Sequence, residues 1–541
     1  MFFPGKVNVR MLRVLVGAVL LLASSQSAFS SSYEPTDAEA ARFLEQATFG
    51  PTPDLIAHVK SVGFDQFLYE QFTAPMTGYP DRELFPSTAT EDCPSGSVCR
   101  RDNYTMYPLQ NQFFVNAIYG EDQLRQRVAL ALHQIFVVSG VEVTHSGRMT
   151  PYLQILDRHA LGNFRNLLYD ITLNPAMGSY LDMAGNSKTA PNENYAREVL
   201  QLFSIGLYRL NPDGTRQLDQ NGQPIPTYDQ NVINAFARVF TGWNFVPAAI
   251  PGIPDYIHPM VPTESRHDTT AKVLLRNVTL PAKQKSVKDL DDAIDNIFND
   301  PNVGPFISKQ LIQHLVTSNP SPSYVERVST VFNNNGSGVR GDLQAVVRAI
   351  LLDPDALTPS ASPNQGHLRH PALFVAGFLR AFTAKSADGG GTSDGYLNPQ
   401  IVTMGMDLFK PPSVFSYFSP NFGVEAPGGG SFTGPEFGVY NTSTALVRAN
   451  FINTMVFSKI AVSANAPNGT SIDVSSLLPY ADDLDKLLDS LNTLMMHGSM
   501  SPEMRQSIMT AVSAVSKSNS LKRVRTAVYL VATSSQYQVE R

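Results

Sequence analysis

Apolar residues return at helical spacing over most of this chain. Across residues 121–138, Leu124, Val128, Leu130, Ala131 and Ile135 mark an amphipathic helix, with His133 on it as a core or boundary histidine. Thr36 with Glu39 three residues on is a capping box ahead of Phe43 and Leu44. Thr52 followed by Pro53 opens a second helix, and Gly63 sits where it should end. Residues 151–168 continue the pattern. Residues 287–298, 305–316, 323–332 and 341–352 read as successive helices with short loops, and helices resume at 441–463, 480–496, 501–516 and 521–532. The pattern predicts a mainly α protein, a single large helical domain with long irregular loops.

One stretch departs from helical spacing. Between Tyr208 and Thr227, Asn211-Pro212-Asp213-Gly214 and Asn221-Gly222 are turn signals flanking Arg216, Gln217 and Leu218, which predicts a small β-hairpin insert. Asp213, Asp219 and Asn221 also offer oxygen ligands at calcium-like spacing, but the distal Glu of a calcium loop is absent.

The densest polar chemistry flanks that insert, in residues 182–243. A helix beginning near Asn192 would put Tyr195, Val199, Leu202, Phe203 and Gly206 on one face, and Glu198 falls inside that apolar stripe. Glu193 and Arg197 lie on the other side as an i,i+4 ion pair. A carboxylate on the apolar face requires a partner or a raised pKa. Thr227 with Gln230 predicts the cap of a second helix carrying Val232, Phe236, Val239 and Phe240, ended by Gly242. Arg238 flanks that face and is the expected partner of Glu198 or Asp182. Asp182, Asn186, Lys188, Asn192, Asn194 and Tyr195 surround these groups, as does Trp243, the one tryptophan of the chain. Two readings follow: a structural polar network tying a loop to two helices, or a binding or acid–base site.

These segments resemble a known family. APNENYAREVLQLFSIGL, followed by an AR-x-FTGW segment, is similar to the bacterial family called domain of unknown function 1800. ARFLEQATFGPT near the start, RHDTTAK, FISKQLIQHLV, MGMDLFKPPSV and SSQYQ near the end extend the resemblance over nearly the whole mature chain. The resemblance implies an exported, mostly helical protein with no assigned chemistry. It also implies, as a possible partner, an exported protein of the unknown-function 1501 family. Gln201 departs from the pattern, because such proteins more often carry Glu there.

Residues 1–30 read as a cleaved secretory signal: Lys6, Arg10 and Arg13 precede an apolar run from Val14 to Ala23, and Ala28-Phe29-Ser30 supplies small residues for cleavage. The expected mature chain, 31–541, is then periplasmic or secreted, with no membrane span. Losing those three positive charges moves the net charge from −6 to more negative values, and with no basic run this argues against nucleic-acid binding. Cys93 and Cys99 are the only cysteines, and in an oxidising compartment they predict one small-loop disulfide.

Two further pairs carry candidate chemistry. His267-Asp268 could form an acid–base dyad, or Asp268 could simply cap a loop turn. His367-x-x-His370 could place two imidazoles on one side of a helix, but without an acidic third ligand it is a weak zinc signal. No nucleophile elbow, zinc-protease, dinucleotide or haem motif is present, and no metal or cofactor is expected. The sequence therefore leads to a binding or assembly protein for an exported partner or a cell-envelope polymer, acting through residues 182–243. The alternative is a carboxylate-based hydrolase or lyase using Glu198 or Glu193 as acid–base, Arg197, Arg238 or Lys188 against a negative intermediate, and His267.

Overall fold

A computed structural model describes residues 34–87, 93–359, 365–425 and 429–540. The predicted leader lies outside the described residues.

The fold is mainly α, and among the described residues the sheets between the helices are all two-stranded. Local chemistry accounts for many helix ends. Thr36 and Glu39 form the predicted capping box of the helix Asp37–Ala47. Thr52 Oγ1 accepts from Leu55 N at the start of Pro53–Val62, and Gly63, at φ 81°, ends it. Ser501 caps Pro502–Ser513 in the same way.

The predicted run 121–138 becomes the helix Gln123–Ile135, buried everywhere except Arg125. It packs against the helices Asp37–Ala47, Phe64–Thr73, Tyr107–Tyr119, Ser146–His159 and Val303–Leu315, so it lies at the centre of the fold. His133 on it bonds the hydroxyls of Tyr152 and Tyr417, a satisfied core histidine. The run 151–168 is two helices, Ser146–His159 and Phe164–Leu173, separated by a turn whose Asn163 caps the second. The hydrophobic core is continuous from Ala40 to Tyr537.

The insert between the motif helices is more than a hairpin. Three short runs are knitted together: Arg209 N donates to Ile225 O, Gln217 N to Arg209 O, and Ile225 N to Gln217 O. Asp213 and Asp219 spend carboxylate oxygens on their own turns, accepting from Thr215, Asn221 and Gln223 N–H groups. That is the ordinary work of Asp in a turn. Among the described residues no group of three or more His, Cys, Asp or Glu is arranged to hold a metal ion.

The His367-x-x-His370 reading needs correction. His367 lies on a short strand, His367–Leu368, paired antiparallel with Val539–Glu540, while His370 is the N-cap of the helix Pro371–Ala381. Pro371 is what sets the helix start there, so the two imidazoles share no helix side.

Cys93 and Cys99 are joined in a disulfide, as predicted. The bridge closes a short loop, so replacing both cysteines by serine is expected to cost about 2 kcal/mol. Thermal unfolding of that variant, with the helical circular dichroism retained, checks the figure.

Candidate functional site

The motif helices are Asn194–Gln201 and Gln230–Val239, and they pack on each other. The first begins two residues later than predicted. The second is capped by Asp229, whose Oδ1 accepts from Val232 N, rather than by Thr227. Thr227 instead donates to Gly206 O.

Most of the conspicuous polar groups hold the loop 182–192 against these helices. Asn186 is the hub. Its Oδ1 accepts from Asn192 N at 2.8 Å, its Nδ2 lies 3.3 Å from both Ala237 O and Phe240 O, and its backbone carbonyl accepts from Gly242 N. A buried side-chain amide thus satisfies carbonyls at a helix end that would otherwise be orphaned. Asn192 Oδ1 accepts from Asn194 N, and Asn194 Nδ2 donates to Asp182 at 2.6 Å. Tyr195 is buried, bonds Thr172 Oγ1 at 2.6 Å and meets the Phe240 ring edge-on. Trp243 is 2% exposed, so it belongs to the core rather than to a binding surface. Glu193 accepts from Arg197 and from Gln230, each at 2.9 Å.

Two sequence expectations are overturned. Arg238 does not answer Glu198: its guanidinium donates to Thr270 Oγ1 at 2.6 Å, and no ion pair joins it to Glu198 or Asp182. His267 does not pair with Asp268. It is fully buried, with Nδ1 2.8 Å from Thr241 O and Nε2 3.0 Å from Asp289 Oδ2. Lys272 Nζ lies 2.6 Å from the same carboxylate oxygen, and Gln284 donates to the other. Asp268 accepts from Thr270 N in a local turn. His267, Asp289 and Lys272 form a sealed, mutually satisfied triad with no face open to a substrate. Its partner, Asp289, lies on another helix, Ser286–Phe298, which the adjacency of His267 and Asp268 could not reveal.

What remains open in this region is small and specific. Glu198 is half-buried, and its Oε2 is enclosed without any hydrogen-bond partner. Burial pushes its pKa up, and Arg197 draws it part of the way back. The Tyr228 hydroxyl is likewise enclosed and unpartnered. Burial raises the Tyr228 phenol to about 12, with Arg197 opposing and Glu198 reinforcing the shift. Burial also raises Tyr180 to about 12, helped by Glu142 and Glu198. Lys188 is exposed, and its backbone N–H is tied to Arg266 O. Of the acid–base candidates, only Glu198 therefore retains unfilled hydrogen-bonding capacity.

The family model described as protein of unknown function, DUF1800, matches residues 42–539. The chain belongs to the DUF1800 family. No curated protein and no solved structure matches it.

In this DUF1800 chain a dense cluster of buried charge lies elsewhere, and the sequence reading missed it. Arg369 Nε donates to Glu45 Oε1 at 2.7 Å, and His497 Nε2 stands 3.6 Å from the other oxygen. His367 sits between Glu540, at 3.1 Å, and Glu436, at 3.5 Å. Arg127, on the central helix, faces Glu540 at 3.6 Å, and Arg448 bonds Gln538 Oε1 at 3.1 Å. All of these side chains are buried. Burial works against the His367 imidazolium, but Glu540 and Glu436 outweigh it and raise its pKa to about 9, so the ring is charged at neutral pH. Segments from both ends of the chain, ARFLEQATF and SSQYQ, meet here. One signal was available: Arg127 falls on the Leu124–Ala131 face of its helix just as Glu198 falls on an apolar face of its own.

Proposed function

We propose that this DUF1800 protein is an exported binding or assembly protein, periplasmic or secreted, that holds an exported partner or a cell-envelope polymer at the surface of residues 182–243. The observation that carries this reading is Glu198, with an enclosed oxygen that none of the described residues satisfies, beside Tyr228 in the same condition. A buried polar atom without a partner costs about 1–3 kcal/mol. A hydroxyl or amide of a bound partner would recover that cost, and Arg197 at the edge would help to orient it. The leader-like residues 1–30 and the Cys93–Cys99 disulfide support export. Among the described residues no helix is long and apolar enough to cross a membrane. A protein of the unknown-function 1501 family is the proposed protein partner.

A carboxylate-based hydrolase or lyase is the second reading, and burial of Glu198, which shifts its pKa upward against the pull of Arg197, is the observation that favours it. It ranks second because Glu193 is spent on Arg197 and Gln230, and His267 is sealed off.

Glu198→Gln separates these readings. Tagged wild-type protein recovered from the native envelope fraction is expected to bring a partner with it, and the variant to lose that partner while melting at an unchanged temperature. Equal recovery by both proteins, or unfolding of the variant, overturns the binding proposal. Release of soluble polymer fragments by wild type and not by the variant replaces it with the hydrolase.

A further inference from the structure

A groove of about 270 Å³, lined by none of residues 182–243, opens between the disulfide segment and the segment around Asp394. Its walls combine apolar surface from Pro80, Pro108 and Val115 with Arg82, Arg101, Asp102, Tyr107, Asn111 and Asp394. The volume is at the small end for ligand sites and suits one sugar ring or a dipeptide.

The charged groups of the groove are not equally free. Arg101 Nε bonds Asp102 Oδ1 at 2.6 Å, its Nη1 bonds Asn465 Oδ1 at 2.9 Å, and its guanidinium lies 4.1 Å from the centre of the Tyr107 ring. The Asp102 carboxylate is thereby bonded to Arg101, although its charge also acts on Arg82. Asp394 is committed to backbone, accepting from Tyr396 N, Asn468 N and Gly469 N at 2.8–3.1 Å. Tyr107 donates its hydroxyl to Asn465 O at 2.5 Å. These bonds hold the walls in place, and among the described residues they leave Arg82 with no carboxylate bonded to it alone.

Arg82 Nε donates to Ser146 Oγ and Nη2 to Asp102 O, each at 3.0 Å. Both partners are neutral oxygens, and among the described residues no ion pair within 4.0 Å involves Arg82. Its guanidinium is half-buried and oriented from behind, and the nearest negative charge acting on it is Asp102, whose carboxylate is bonded to Arg101 instead. A guanidinium held in this way favours an oxyanion with planar, forked geometry. A second observation points to a ligand: the Asn111 side chain, also in the groove wall, bonds Tyr107, but its Oδ1 accepts no hydrogen bond from any described residue. The groove thus offers an anion subsite at one point and an acceptor waiting for an N–H or O–H donor at another.

We propose that this groove binds a small carboxylate compound of monosaccharide or dipeptide size, with its carboxylate on Arg82 and a hydroxyl or amide N–H donated to Asn111. The site is separate from Glu198, and the proposal stands or falls independently of the function assigned there. Carboxylates of this size come from acidic sugars and from peptide C-termini, and the two sources can be told apart.

Isothermal titration of the full mature protein tests the proposal with four probes: N-acetylmuramic acid, N-acetylglucosamine, N-acetyl-alanyl-alanine and its C-terminal amide. At least one acid is expected to bind, at least tenfold more tightly than its neutral counterpart, and which acid binds identifies the source. Arg82→Gln is expected to abolish that preference, and Arg82→Lys to keep part of it, because a point charge replaces the fork. Asn111→Leu, which leaves Arg82 and its supports untouched, is expected to weaken the acid severalfold without erasing its preference over the neutral probe. Thermal melts of all three variants accompany the titrations. No binding of either acid, equal binding of acid and neutral probe, or an unchanged affinity in both Arg82→Gln and Asn111→Leu overturns the proposal.

Discussion

Arg369→Met unfolds at a markedly lower urea concentration than wild type, with a loss of about 3–5 kcal/mol, the usual cost of removing one partner from a buried ion pair. The side chain left behind is Glu45, which is buried and depends on Arg369 at 2.7 Å and His497 at 3.6 Å. Burial alone would push the Glu45 pKa up. Arg369 and His497 reverse that and hold it well below the usual carboxylate range. A carboxylate with a depressed folded-state pKa adds stability above its unfolded value, 4.5 here, and loses it as pH falls through the folded value. The defect of Arg369→Met is therefore larger at pH 7 than in acid, and it shrinks as pH falls because Glu45 takes up its proton earlier in the variant than in wild type. Adding Glu45→Gln to the variant recovers part of the loss at pH 7, because it removes the stranded charge. A double variant no more stable than Arg369→Met would show that the cost lies in lost packing, with Tyr537 under the guanidinium at 4.5 Å the first suspect.

This cluster also marks where sequence reading stops. Several caps were legible because they are local: Thr36 and Glu39, or Thr52 and Pro53, carry their geometry within a few residues, whereas the cap placed at Thr227 falls on Asp229. The disulfide was legible because two cysteines leave one pairing. The unusual position of Glu198 was legible from helical spacing, since an acid on an apolar stripe is a contradiction that periodicity exposes. Its partner was not. Arg238 satisfies the same spacing rule, yet the helices pack so that its guanidinium reaches Thr270, and nothing in either helix fixes that rotation. His267 failed for a related reason. Adjacency suggested Asp268, whereas neighbouring residues in extended backbone point to opposite sides, and the imidazole found Asp289 across a helix packing. The Arg127–Glu540 and Arg369–Glu45 contacts join residues from distant parts of the sequence, so only the closed fold brings them together.

Asp157→Asn is expected to stabilise the protein at neutral pH, the opposite of the usual outcome for a core substitution. Asp157 is 1% exposed on the helix Ser146–His159. Its Oδ2 has no hydrogen-bond partner, and its Oδ1 receives only a long bond, 3.4 Å, from Gln126. Gln126 gives its shorter bond, 3.1 Å, to Asp122, a second fully buried carboxyl. Burial, reinforced by Asp122 and opposed by Arg125 and Gln126, raises the Asp157 pKa from 3.8 to about 7. For a carboxyl whose folded pKa lies above its unfolded value, the contribution is whole below the unfolded pKa and is lost as pH rises through the folded one. The penalty therefore starts near pH 4, grows through pH 7 and levels off above it, with a ceiling of about 4 kcal/mol set by the shift. Asparagine keeps the acceptor for Gln126 and carries no charge to desolvate. Urea midpoints at pH 4, 6 and 8 are expected to show the variant level with wild type at pH 4 and increasingly ahead of it at the higher values. A variant that lags equally at all three would mean that the ionised Asp157 is matched by a charge or ordered water, and that this carboxyl stabilises the helix junction it sits in.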